Sequence, residues 1–168
     1  MVTPTMVHNP GLRIPPQYGP FLSPQDLLRA VSGSADSDCP LAQWAGTLGS
    51  LYRAWLGDPS AETIRRQVAG VVHEIDAWIA AQLPRPRAGT PRGTDSVGGV
   101  IARVAEASAC AHWALHHMED AVQRHRAWDH LAEMREGYED LVLLALGGLI
   151  RLPKSWPGIS WLAGATTK

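Results

Sequence analysis

The chain has 168 residues, 45% of them hydrophobic and 18% charged, with a formal net charge of −1. That is enough chain for one domain with a sizeable core, and too apolar for intrinsic disorder. The near-neutral charge excludes a global field for nucleic acid or an anionic membrane surface. The two cysteines, Cys39 and Cys110, lie far apart with no metal-ligand spacing. No stretch has the layout of a signal peptide, and no apolar run approaches the ~20 residues that span a bilayer. A cytoplasmic protein with two reduced thiols is the expectation.

Residues 1–22 hold five prolines and no periodicity, and read as an extended Pro-rich arm. Leu12, Ile14, Tyr18, Phe21 and Leu22 are available to dock it on the body. The body is expected over 23–153, as a single-domain helical bundle. A first short helix starts at Ser23-Pro24, an N-cap followed by proline, and runs to about Val31, before Gly33. A second carries Pro40 in its first turn and Leu41, Trp44, Leu48, Leu51 and Trp55 on one face, with Gly57 placed as a terminating C′ glycine. Asp58-Pro59 restarts the pattern. The third helix runs to about Leu83 with Ile64, Val68, Val71, Ile75, Ile79 and Leu83 as its stripe, antiparallel to the second.

The segment Pro84–Gly93 is a loop of prolines, arginines and glycines. An anion-binding flap over a pocket competes with a solvated linker as its role, and the linker is preferred. Thr94–Val122 then reads as one long helix at the centre of the fold. Val97, Ile101, Val104, Ser108, Ala111, Leu115, Met118 and Val122 recur at steps of three and four, and Thr94 is a fit N-cap. Gly98 and Gly99 weaken a helix interior, so their expected role is close backbone approach by a neighbour. A fifth helix carries Trp128, Leu131, Met134, Tyr138, Leu141, Val142 and Ala145, with the turn expected at Gln123–Arg126. The tail, 154–168, holds Trp156, Pro157 and Trp161 and is expected to dock on the body or a partner. No strand-like alternation appears, so the expected architecture is all-α, with four to five main helices.

Four segments carry a family resemblance: Glu74-Ile75-Asp76-Ala77-Trp78-Ile79, the stretch from Thr94 to Val104, Tyr138-Glu139-Asp140-Leu141-Val142, and Arg151-Leu152-Pro153. In this order and spacing, over about residues 39–153, the chain resembles the actinobacterial branch of the domain-of-unknown-function 4254 family. The resemblance implies a small helical protein and no established activity. The histidine-rich run from His112 to His130 departs from that pattern.

Three constellations have chemical content. His112 and His116 lie one helical turn apart, with Glu119 beyond them, an arrangement able to offer two imidazoles and a carboxylate. The Glu-x-x-His and HExxH orders are absent, so boundary histidines and no metal or cofactor are expected. In the second, His73, Glu74 and Asp76 on helix three face His112 or Glu106 on helix four as acid–base groups. It is weighed against exposed surface contacts such as Arg66–Glu62, which are preferred. In the third, Trp44, Trp55 and Trp128 are expected in the core, while Trp78 and Trp113, off their stripes, wall a ligand pocket or a subunit interface.

A ligand-binding or protein-interaction module, homo-oligomeric and without nucleic-acid or membrane partners, is the preferred reading. A small-molecule enzyme is the alternative. His112, His116 and Glu119 are its candidate catalytic residues, and Trp78, Trp113, Glu106 and His73 are the candidate ligand-binding residues.

Overall fold

The computed structural model describes residues 18–154. Among them are five α-helices: α1 (Pro24–Ser32), α2 (Pro40–Gly57), α3 (Glu62–Gln82), α4 (Val97–His117) and α5 (Ala121–Leu146). The protein is all-α among the described residues, and none of these helices is long and apolar enough to cross a membrane. Leu12, Ile14, Trp156, Pro157 and Trp161 lie outside the described residues.

Local chemistry sets the helix ends. Ser23 Oγ accepts the Asp26 amide at 3.1 Å, Pro24 opens α1, and Gly33 closes it at φ +80°. α2 ends differently from expectation, because Gly57 is not left-handed. Asp58 is the cap, its amide reaching the Ala54 and Trp55 carbonyls at 3.3 and 3.0 Å. Its own carboxylate then takes the Ser60 hydroxyl at 2.7 Å, an aspartate turn that makes the glycine conformation unnecessary.

Helix four is shorter than its periodicity. Ser96, not Thr94, caps it by accepting the Gly99 amide at 3.1 Å, and it stops at His117. The turn into α5 lies at 118–120 rather than at Gln123–Arg126. Asp120 accepts the Val122 and Gln123 amides at 2.8 and 3.4 Å, and Arg124 donates to the Met118 and Glu119 carbonyls at 2.7 and 2.8 Å. An aspartate able to cap outcompetes the last two positions of the apolar spacing, Met118 and Val122.

α4 packs against all four other helices. Its stripe is buried from Val97 through Ala111, and the alanines at 102, 105, 107, 109 and 114 are buried as well. Small side chains let neighbours approach from several sides. Of the two α4 glycines, Gly98 makes the closer approach: a Cβ there would stand 2.5 Å from the Val72 carbonyl oxygen and 2.9 Å from Asp76 Oδ1. Gly99 has no such neighbour and meets only its own cap, Ser96 Oγ.

The stripe then runs out of partners. Leu115, Met118 and Val122 are 51%, 39% and 64% exposed, and Trp128, expected in the core, is 38% exposed. Within α5 the first buried residue is Leu131, so the α4–α5 turn stands clear of the packed body. Trp44 and Trp55 are half-buried. At the other end, Tyr18, Phe21 and Leu22 are buried, and the Tyr138 hydroxyl donates to the Leu22 carbonyl at 2.9 Å. Tyr18 donates to Glu139 at 2.8 Å, tying the start of the described chain to α5.

Candidate functional site

The principal concavity is a cleft of about 1210 Å³ at the end of the bundle where α3 finishes and α4 begins. Its walls are the C-terminal half of α3, the segment 83–91, Val97, and the chain leaving α5 through Lys154. Two backbone bonds close its base: the Gly93 amide donates to the Arg151 carbonyl at 2.9 Å, and the Arg151 amide to the Pro91 carbonyl at 2.7 Å. The Arg151 guanidinium reaches the Arg87 carbonyl at 3.4 Å, across the loop. The loop preferred as a solvated linker is therefore part of a cleft wall.

Asp76 is the carboxylate of this cleft, and it is only 7% exposed. Its Oδ1 accepts the Gly98 amide at 2.7 Å, so the α3 side chain caps α4 from outside that helix. Its Oδ2 is buried with no hydrogen-bond partner. Burial pushes the carboxyl above its ordinary range, while the Gly98 amide, nearby Ser96 and His73 pull the other way. The Ser96 hydroxyl accepts the Gly99 amide and keeps its own proton to donate, so it favours the Asp76 charge from close by while Oδ2 itself has no partner.

A second orphan lines the same cleft. Arg151 Nε is buried without a partner. Arg85, Arg87, Arg151 and Lys154 all line the cleft, none of them in an ion pair with a described residue, and Asp76 is the one acidic residue among the described lining. A buried acceptor and a buried donor are thus left unsatisfied in one concave space under an excess of positive charge. Either atom gains if a ligand supplies its missing bond.

His73 is the one expected ligand-binding residue in this cleft. Glu106 is exposed on α4 and lines a smaller depression of about 180 Å³ with Tyr52, Trp55 and Cys110. Burial pushes the Tyr52 hydroxyl up to about 12 and raises the Cys110 thiol, with the Glu106 charge adding to both. Trp78 packs edge-on against Trp44 at 6.1 Å, whereas Trp113 is 40% exposed and stacks on His117 at 4.7 Å. They do not wall one pocket. Asp76 touches α4 at Gly98, and Trp113 lies fifteen residues further on, about 22 Å at 1.5 Å per residue.

His112 lies fourteen residues beyond Gly98, about 21 Å along α4, so the alternative acid–base pairing of Asp76 with His112 is not made. His112 is exposed, with Nδ1 2.8 Å from the Ser108 carbonyl and its ring 5.2 Å from Trp128. His116 is exposed on the last turn of α4, and Glu119 is exposed in the turn, its carbonyl taken by Arg124. Among the described residues no three His, Cys, Asp or Glu side chains gather in a metal-holding group. The expected surface pair is also shifted by one residue, because Glu62 bridges to Arg65 at 3.2 Å, not to Arg66.

Arg151 was missed as a site residue. Its signal was present in the Arg-Leu-Pro segment that carries the family resemblance, but nothing local says that this segment returns to the loop before α4. Comparison with family models, curated proteins and solved structures finds no match to this chain.

Proposed function

We propose that this protein binds a small molecule in the cleft between the ends of α3, α4 and α5. The observation that carries the reading is that two residues lining one cavity of about 1210 Å³, Asp76 and Arg151, each hold a buried, unpartnered polar atom, Oδ2 and Nε. Three of the four family-resembling segments supply its walls or its cap, through Asp76, Val97 and Arg151. Membership of the domain-of-unknown-function 4254 family, to which those segments are similar, is part of the same proposal.

Ala80, an exposed lining residue of α3, allows the cleft to be filled without touching the core. Native mass spectrometry of the purified protein against a metabolite library should yield a bound compound that is lost in Ala80→Trp. Retention of every bound compound by that variant would overturn the proposal.

Acid–base catalysis in the same cleft is a second reading, favoured by the burial-raised Asp76 carboxyl with His73 beside it. Homo-oligomerisation is a further part of the proposal, supported by exposed Trp113, Leu115, Met118, Val122 and Trp128 around the α4–α5 turn. A cytoplasmic location completes it, supported by two cysteines that are both free.

A further inference from the structure

We infer that the cleft ligand is a small phosphomonoester that also carries a hydrogen-bond-donating group, an amine or hydroxyl, at its other end. This rests on the cleft being the binding site. Among the described lining, four cationic side chains, Arg85, Arg87, Arg151 and Lys154, stand against one carboxylate, that of Asp76. A carboxylate would bring one negative charge and two acceptor oxygens to the arginines. A phosphomonoester brings about −1.5 to −2 and several acceptor oxygens suited to a guanidinium fork.

The anion belongs at the arginines and not at the nearby helix start. Three of the first four amides of α4 are already engaged: Gly98 by Asp76, Gly99 by Ser96 Oγ, and Val100 by the Ser96 carbonyl at 3.0 Å. Arg151 is the fixed member of the cationic set. Its backbone is bonded on both sides, to Pro91 and Gly93, and its guanidinium is braced on the Arg87 carbonyl, with Nε still lacking an acceptor. A phosphate oxygen supplies that acceptor.

The other pole is Asp76. Its Oδ1 is committed to α4, and in the ionised carboxylate Oδ2 is an acceptor. A ligand that is purely anionic would leave Oδ2 unsatisfied and bring like charge towards it. An amine or hydroxyl answers both problems.

The test is isothermal titration calorimetry on the full chain at low salt, with inorganic phosphate, phosphoethanolamine, glycerol 3-phosphate and ethanolamine as probes. At least one organophosphate should bind roughly tenfold tighter than inorganic phosphate, and ethanolamine alone should not saturate. Asp76→Asn, which keeps an acceptor for Gly98, should cut the organophosphate by about tenfold and leave inorganic phosphate unchanged. Arg151→Met should weaken both. If that variant fails to fold, Arg151→Lys keeps the charge, loses the fork, and should still weaken both.

Organophosphates no tighter than inorganic phosphate, or a preference that survives Asp76→Asn, would overturn the assignment. The two proposals fail separately. A neutral compound that Ala80→Trp blocks, with no phosphate bound, removes the phosphomonoester class and leaves the cleft as a binding site. Nothing blocked by Ala80→Trp removes both.

Discussion

Asp76 holds α4 in place with a carboxylate that the interior would rather see neutral. Its pKa in the folded protein lies above the ordinary value, with burial as the main cause. The resulting penalty is absent below the ordinary carboxyl range, grows as pH rises from there to the raised value, and is full above it. Asp76→Asn keeps the Gly98 acceptor and removes the charge, so it should raise Tm at pH 7, with the gain shrinking as the pH is lowered towards about 4. Thermal unfolding of both proteins across that range checks it, and a gain that is flat with pH would mean that charge burial is not the cause. Loss of ligand affinity together with gain of stability is what a residue kept for binding would show.

Between elements, the decisive contact is the backbone approach of α3 to α4 at Gly98. Gly98→Ala must push the Val72 carbonyl and the Asp76 carboxylate aside, and should lower stability by about 1–3 kcal/mol in denaturant titration. Gly70→Ala, in α3 with nothing near its Cβ position, should instead raise it by about 0.5–1 kcal/mol. Equal effects at the two sites would refute the close-approach account. Periodicity made the helices legible, because the α3 and α4 stripes are what the core needs. It overran at the α4–α5 turn, where the Asp120 cap ends a pattern that hydrophobic spacing alone would continue. The tryptophans were read from stripe position, and Trp128 is exposed because its stripe begins before the packed part of α5 does.

Across the whole molecule, the two ends of the bundle differ in character. One holds the cationic cleft, and the other presents Leu115, Met118 and Val122 where the α4 stripe leaves its neighbours behind. Sedimentation velocity should show a dimer or larger species for the native chain and a monomer for Leu115→Glu; a native chain monomeric at every accessible concentration would remove the oligomer. The cleft was only half legible in sequence. His73, Asp76 and the arginine loop were all noticed, but separately, since no local pattern states which loop the segment after α5 will meet.

The clasp between Gly93 and Arg151 has a temporal consequence. It joins a loop that precedes α4 to a segment that follows α5, so it cannot form until those two helices have paired and brought its halves together. Asp76 reaches its partner only when α3 has docked as well. The cavity is therefore among the last features to exist as the chain folds, and a ligand for it has nothing to recognise in a half-assembled molecule. Under the proposed reading, binding would draw on the complete native state alone, and a ligand would seal a finished fold rather than template it.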